Sequence, residues 1–331
     1  MAQEDPVKDL KDTLQEICCQ LQEDQVPHEV VEGFILEEFL PRLAHAVEKI
    51  GHNAKRICLA FVEPPAPTPL EVAGLIARMK GACLEVLTIF AELPRCQGRT
   101  LRKEVADNLR ELYDAVKDFV SGIGPESDSC LQVAGKLWEK CDAIKRISKD
   151  NKEAVCSVLA NHYEFIQDAV DELRESMDED EALAVDMPRM PVRNGFNQTP
   201  VLTWSGEDRE LLIPGMGLVK TVRITMRKVS AVVNSRGRCI NMQENTDLDR
   251  IADLFQTSSS FMDDFITSLY PPLFATTVQE SGTALKGHVL AILKATKESH
   301  FYNAAREDWV GFLEHATEHN YQNLISRIAL R

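Results

Sequence analysis

The sequence predicts an all-α protein made of two antiparallel helical bundles, the first of about five helices and the second of about four or five, joined by an acidic linker. Apolar residues recur at three- and four-residue spacing through most of the chain, and no stretch shows the two-residue alternation of a half-buried strand. Breaks that contain proline or glycine separate these stretches. A chain of 331 residues is also long for one hydrophobic core, which favours two domains.

The first half of the chain divides into six helical stretches. Residues 6–22 carry a strict apolar stripe, but Pro27 separates them from the second stretch, so their attachment to either bundle stays open. Pro41 is expected to kink the second helix. Thr68 and Glu71 have the spacing of a capping box, which begins the third. The predicted helices cover about 6–22, 29–62, 68–93, 100–121, 131–147 and 150–177.

The second half opens with a helix whose start is marked by a cap. Ser205 is placed to accept the backbone N–H of Asp208, and acidic side chains in the first turn suit the helix dipole. Pro214 falls inside the apolar pattern, which predicts a kink or a restart at that point. Gly215 and Gly217 would let a neighbouring element approach closely. The predicted helices begin at Ser205 and then cover about 246–269, 272–298 and 305–330.

An acidic segment separates the two halves. Residues 171–186 contain eight acidic side chains and one basic one, and residues 187–203 have three prolines and no apolar period. This segment is either a solvated spacer or a docking site for a basic partner. The predicted organisation is an N-terminal helix (1–27), an N-terminal bundle (28–178), a linker (179–203) and a C-terminal bundle (204–331).

Composition narrows the class of protein. A net charge of −15 argues against a nucleic-acid binder and against attachment to an anionic membrane surface. The nine cysteines lack the spacing of a disulfide framework or a zinc site. The acidic N-terminal residues do not resemble a secretory signal, and no apolar run has the length of a membrane span. We therefore expect reduced thiols and a cytoplasmic or nuclear location.

Catalytic motifs are weak. His315, Glu318 and His319 have the HxxEH spacing of one zinc-peptidase class, but little chain remains downstream for a third ligand. His162 lies on an apolar helix face and is interpreted as a hydrogen-bonded core residue. Cys96 lies among arginines without an identifiable histidine base. The sequence therefore predicts no catalytic site, no metal and no cofactor.

The strongest functional candidates lie near the start of the second half. A basic stripe on one helix is interpreted either as a solvated face or as a contact for an acidic partner, including the chain's own acidic linker. Arg209, Glu210 and Leu211 have the form of a cyclin-docking motif, although such motifs dock as extended peptides and helix is expected here. The partner-binding candidates are Trp204, Glu207, Asp208, Pro214, Lys220, Arg223, Arg227, Asp178, Glu179, Asp180 and Glu181.

Several short motifs occur in order along most of the chain. They are Leu101-Arg102-Lys103, Asp150-Asn151-Lys152, Trp204-Ser205 followed by Glu210-Leu211-Leu212-Ile213-Pro214, Ser268-Leu269-Tyr270-Pro271-Pro272, Thr296-Lys297 and Ser299-His300. In this order they resemble the cyclin-D-binding protein family. The resemblance implies binding to D-type cyclin, to helix-loop-helix transcription regulators and to signalling adaptor proteins, in both nucleus and cytoplasm. It also implies negative regulation of cyclin-dependent transcription control.

Two other classes of function remain open. One is a helical-bundle scaffold or adaptor of the vinculin or talin-rod type, which the predicted architecture suits equally well. The other is a metallohydrolase that uses His315, Glu318 and His319. The favoured interpretation is a non-enzymatic regulator that acts through protein–protein contact and touches neither nucleic acid nor membrane directly.

Overall fold

The structure, a computed structural model, describes residues 5–22, 33–62, 65–123, 127–186, 203–303 and 308–330. Within these ranges the regular secondary structure is helical throughout, which confirms the predicted all-α class. A 3₁₀ turn spans Arg95–Gln97. The α-helices are α1 (Pro6–Gln22), α2 (Leu36–Val62), α3 (Pro69–Ala91), α4 (Arg99–Ser121), α5 (Ser127–Ile144), α6 (Asn151–Asp186), α7 (Gly206–Arg236), α8 (Met242–Ser268), α9 (Ala275–Glu298) and α10 (Trp309–Ile328).

Helix ends differ from the predicted ones where proline or acidic residues guided the prediction. α2 begins at Leu36 and continues through Pro41 without a break. α6 extends past Met177 to Asp186, because glutamate and alanine in the acidic segment are good helix formers. The first part of the predicted linker is therefore helix, and the remainder, 187–202, lies outside the described residues. None of the described helices is long and apolar enough to cross a bilayer.

The first compact unit comprises residues 1–154 and 239–245 and contains α1 to α5. α1 packs against α3 and α4, α2 against α3 and α5, and α4 against α5. One continuous core holds them together, with Leu14, Leu43, Val86, Leu109 and Leu137 as buried representatives of the five helices. Because α1 contributes to this core, the question of its attachment is settled in favour of the first unit.

A glycine with positive φ fixes the start of α4. Gly98 has φ of 112° and lies at the N-cap position, beside the fully buried Asn151. The Asn151 Oδ1 accepts the Leu101 backbone N–H at 2.9 Å, and so satisfies one of the donors left open at a helix start. A Cβ atom on Gly98 would lie 1.9 Å from Asn151 Cγ, so only glycine fits both the backbone and the space.

The second compact unit comprises residues 155–238 and 246–331 and contains most of α6 and of α8 together with α7, α9 and α10. α10 packs against α7 and α9, and α7 also contacts α9. Hydrogen bonds join α6 to its neighbours, one between His162 and Ser259 of α8 and one donated by Arg223 of α7 to Gln167. The unit is therefore a helical bundle with its own buried side chains, among them Leu173, Val222, Phe255, Ile292 and Leu324.

The division between the compact units differs from the predicted boundary. The prediction assigned the sixth helix to the first bundle and placed the division in the acidic segment after residue 178. In the structure the division falls between Ala154 and Val155, one turn into α6. The reason is that the buried residues of α6, such as Ile166 and Val170, pack with the second set of helices, which its periodicity alone cannot reveal.

A buried histidine lies between α8 and α9. His288 is 6% exposed, its ring stacks on Phe261 at 4.5 Å between centroids, and its Nε2 lies 2.9 Å from Ser258 Oγ. The Ser258 hydroxyl donates to the Leu254 carbonyl, so the imidazole N–H is the donor to Ser258. Burial lowers the pKa of His288, since the protonated ring would lose its hydration.

We expect this histidine to make the second unit less stable in acid. The unfolded chain binds a proton near the ordinary pKa of 6.5, whereas the buried imidazole resists protonation, so the free energy of unfolding falls as pH drops below that value. The slope from this group is at most about 1.4 kcal/mol per pH unit, and it vanishes once the folded ring is itself protonated. Urea unfolding of the wild type and of His288→Gln at about pH 7.5 and about pH 5.5 measures it. Equal pH dependence in both proteins would contradict this assignment.

Candidate partner-binding surface

The start of α7 is anchored by two side chains that were singled out from the sequence. Trp204 is only 7% exposed, and its indole N–H donates to the Leu269 carbonyl at 2.7 Å. Its ring lies 5.6 Å from that of Tyr270. Ser205 and Asp208 form the capping box, with Ser205 Oγ accepting the Asp208 N–H at 3.1 Å. Trp204 and Asp208 therefore hold the start of the helix in place; the Trp204 side chain is buried, whereas that of Asp208 is half-buried.

An ion pair fastens the same end of α7 to α6. The Arg209 guanidinium donates to Asp180 Oδ2, and the Asp180 side chain is 8% exposed. Arg209 is thus engaged in an ion pair within the second unit, and Leu211 and Leu212 are buried in the hydrophobic core. The Arg209-Glu210-Leu211 motif is helical and partly buried, which is not the extended form in which such a motif docks.

Pro214 does not interrupt α7. The helix runs from Gly206 to Arg236, so the predicted restart is wrong, while the close approaches predicted for the two glycines are confirmed. A Cβ on Gly215 would lie 3.0 Å from Leu269, and one on Gly217 would lie 2.9 Å from Asn320 Oδ1. The amide of Asn320 on α10 donates to the Gly217 carbonyl at 3.1 Å. This bond joins α7 to α10 within one turn of the proline.

The basic stripe of α7 divides into engaged and accessible members. Arg223 donates to Gln167 at 3.4 Å and lies 4.0 Å from Asp171 Oδ1, both on α6. Lys220 and Arg227 are exposed and have no ion-pair partner among the described residues. We use the name α7 outer face for a set of exposed residues that share one side of the helix: Ile213, Lys220, Ile224 and Arg227.

The outer face combines apolar and basic groups. Ile213 is 77% exposed, and Ile224 is 38% exposed between the two cations. Exposed aliphatic side chains on an otherwise well-packed helix indicate a binding surface more strongly than exposed charges do, because burying them against a partner is favourable. The cations were identified from the sequence, whereas both isoleucines were missed, although their helical spacing was available as a signal.

The predicted acidic candidates lie on two helices. Asp178 and Glu179 are exposed near the end of α6, and Glu207 is exposed in the first turn of α7. Asp180 is buried against Arg209 and is not available to a partner. Glu181 belongs to α6, but its side chain lies outside the described part of the structure. Since Asp180 pairs with Arg209, the exposed carboxylates border the α7 N-terminus rather than form a separate patch.

The HxxEH motif does not converge on a metal position. His315 and His319 stack loosely at 6.5 Å between ring centroids, and Glu318 binds Lys286 at 2.7 Å. This bond lowers the pKa of Glu318 and keeps its carboxylate charged. Across the described ranges no group of three or more histidine, cysteine or acidic side chains could hold a metal ion.

Two further histidines have structural hydrogen bonds. His162, predicted to be a core residue, is half-buried and lies 3.1 Å from Ser259 Oγ. The Nδ1 of His300 lies 2.9 Å from Asp247 Oδ2, a pairing for which the sequence contains no signal. The Nε2 of His300 accepts the Arg238 backbone N–H at 3.0 Å. With both ring nitrogens engaged, the Asp247–His300 pair stabilises the end of α9 instead of offering a base.

Comparison with known proteins identifies the family. The family model described as "Grap2 and cyclin-D-interacting, N-terminal" matches residues 42–179, and its C-terminal counterpart matches residues 176–294. Both halves occur in order, so the match spans residues 42–294 and includes the α7 outer face. The family's description refers to binding and names no catalysed reaction.

Curated relatives extend over nearly the whole chain. A Xenopus laevis protein named cyclin-D1-binding protein 1 homolog is 27% identical over 323 residues, covering 96% of this chain and 97% of the relative. A Danio rerio homolog of the same name is 29% identical, covering 88% and 87%. The Homo sapiens cyclin-D1-binding protein 1 is 26% identical, covering 88% and 84%. The chain therefore belongs to the family of Grap2 and cyclin-D-interacting proteins.

Proposed function

We propose that this chain binds a D-type cyclin and acts as a non-enzymatic regulator of the cell cycle. The observation that carries the proposal is the full-length similarity to relatives whose names state that they bind cyclin D1. Partial similarity would leave open whether the binding part is shared, but here both family halves are present. The hydrogen-bonded histidines give no support to a catalytic alternative.

The α7 outer face is the surface that we assign to this binding. It offers two aliphatic side chains for burial and two unpaired cations for orientation, Lys220 and Arg227. Apolar anchors supply most of the affinity at such interfaces, and charges at the edge set the orientation and the association rate. Trp204 and Arg209 hold in place the helix that carries this face.

The wider role that we propose is negative regulation of cyclin-dependent transcription control, in nucleus and cytoplasm. Helix-loop-helix transcription regulators and signalling adaptor proteins are further partners in this proposal. The net charge of −15 supports action through protein partners, since direct contact with DNA or with an anionic membrane would be repelled. Regulation would then come from sequestering a partner rather than from occupying DNA.

A scaffold of the vinculin or talin-rod type is the second candidate. The observation that favours it is the arrangement of two helical bundles in one chain. Fold alone is a weak guide to function, because helical bundles serve many unrelated roles. Sedimentation of the chain with actin filaments, without any effect on cyclin-dependent phosphorylation, would favour the scaffold.

Phosphorylation of the retinoblastoma protein by a D-type cyclin and its kinase tests the regulatory proposal. We expect the wild-type chain to lower the phosphorylation rate in a dose-dependent manner. The double substitution Lys220→Glu and Arg227→Glu should raise the half-effective concentration at least about fivefold, because a like charge at a polar rim weakens association.

The control is a variant with the same change in net charge on another surface. Lys8 and Lys136 are exposed, have no ion-pair partner in the described chain and lie in the first unit. Lys8→Glu with Lys136→Glu should therefore behave like the wild type. Unchanged phosphorylation at every concentration of wild-type chain would reject the regulatory proposal.

A further inference from the structure

An open groove runs between α2 and α3 in the first unit. The two helices are antiparallel, since Lys49 binds Glu85 at 2.6 Å and Arg42 binds Glu92 at 2.9 Å. Beyond the Lys49–Glu85 pair the groove has a volume of about 610 Å³. A second depression of about 550 Å³ continues past Glu85 toward Pro41, so the surface extends along much of both helices.

The charge of this groove is opposite to that of the whole chain. Lys55, Arg56 and Arg78 line it, are exposed and have no ion-pair partner among the residues that the structure describes. The carboxylate that lines it, Glu85, is already bonded to Lys49. In a protein of net charge −15, three unpaired cations around one groove form a local basic surface.

An exposed leucine lies among these cations. Leu59 is 47% exposed and comes three residues after Arg56 and four after Lys55, which places all three on adjoining positions of the α2 surface. Across the groove, Ala82 of α3 is small and buried, so its side chain leaves room beside Leu59. The groove thus offers an apolar contact with cations on both helices around it.

We propose that this groove docks an acidic segment of a partner protein that carries an apolar side chain among its carboxylates. Carboxylates would pair with Lys55, Arg56 and Arg78, and the apolar side chain would pack on Leu59. A helical or extended segment of this kind matches an elongated groove with charged edges. The proposal lies beyond the assigned cyclin contact, because the groove belongs to the first unit and the α7 outer face to the second.

A nucleic acid fits the groove less well than an acidic peptide. A phosphate backbone needs a longer basic track, and single strands also need aromatic platforms for their bases. The described lining contains no phenylalanine, tyrosine or tryptophan and only one ring, that of His52, and the overall negative charge would repel a long polyanion more than a short peptide. Leu59 offers an apolar contact that an aliphatic side chain of a peptide can cover, and a nucleic acid has no such side chain.

Fluorescence anisotropy with synthetic peptides tests the proposal on the full chain. The probe is a labelled peptide of about 14 residues, roughly four helical turns, with glutamates throughout and leucines at three- and four-residue spacing. We expect saturable binding that weakens as salt rises from about 0.05 to about 0.3 M, since exposed charges are screened. Arg56→Glu with Arg78→Glu should weaken it at least about tenfold, and Leu59→Ser at least about threefold.

Two controls distinguish specific binding in the groove from nonspecific electrostatic attraction. The Lys8→Glu and Lys136→Glu variant should bind the peptide like the wild type, and a peptide with serines in place of the leucines should bind at least about threefold more weakly. Equal binding by the groove variant and this control variant would overturn the proposal, as would no binding of the leucine peptide at low salt. Tighter binding of an oligothymidine than of the peptide, lost in the groove variant, would show that the occupant is a nucleic acid.

Discussion

Gly98→Ala is expected to lower the free energy of unfolding of the first unit by about 3 kcal/mol or more. The alanine would have to adopt a positive φ of 112°, which costs about 1–3 kcal/mol for a residue with a side chain. Its Cβ would also displace Asn151, and the buried Leu101 N–H would lose its acceptor at a cost of about 1–3 kcal/mol. Urea unfolding measures the loss of free energy, and amide hydrogen exchange in α4 shows where protection is lost.

Gly81→Ala is the matched control for this substitution. Gly81 lies inside α3, and apart from its chain neighbours and the backbone of its own helix no atom lies within 4 Å of the position of an added Cβ. Alanine there should stabilise the unit by up to about 1 kcal/mol, because glycine is a poor helix former. If Gly98→Ala were as stable as the wild type, the steric role assigned to Gly98 and Asn151 would be incorrect.

Trp204→Ala is expected to destabilise the second unit by about 3–5 kcal/mol. Truncation of a buried tryptophan removes a large packing surface and leaves a cavity. It also removes the donor to the Leu269 carbonyl, at the end of α8, and the contact with Tyr270. The start of α7 would thereby lose its attachment. Urea unfolding followed by hydrogen exchange in α7 and α8 measures the change.

Trp204→Phe separates packing from hydrogen bonding. The phenyl ring keeps most of the apolar contact but cannot donate to Leu269, so the expected loss is about 1–3 kcal/mol. Under conditions where both variants remain folded, affinity for a D-type cyclin should stay within about twofold of the wild type, because the side chain is buried. A large loss of affinity in a fully folded variant would instead make Trp204 a partner contact.

The sequence predicted helix starts well where the pattern that marks them lies within a few residues of one helix. The capping boxes at Thr68 and Ser205 have the predicted bonds, because they depend only on residues three apart. The restart considered at Pro214 does not occur, since α7 continues on both sides although the proline removes one backbone donor. α2 likewise continues through Pro41. The acidic residues after Met177 were interpreted as the start of the linker, but α6 continues through them to Asp186.

Contacts between helices were the part that the sequence could not provide. The pairing of Asp180 with Arg209, the donation from Asn320 to Gly217 and the division inside α6 all depend on which helices are neighbours. The α2–α3 groove was missed for the same reason, because its cations come from two helices and no short motif joins them. Trp204 illustrates the opposite case: it was chosen as a partner-binding candidate because it lies in a recognisable motif, but its side chain is buried.

Titration of a D-type cyclin with the full chain tests the central claim most directly. Calorimetry at physiological salt, with the human cyclin-D1-binding protein 1 as a reference, should show saturable binding that Lys220→Glu with Arg227→Glu weakens at least about fivefold. The Lys8→Glu and Lys136→Glu variant should bind like the wild type. No heat of binding for this chain, under conditions where the human protein binds, would contradict the assignment of cyclin binding to it.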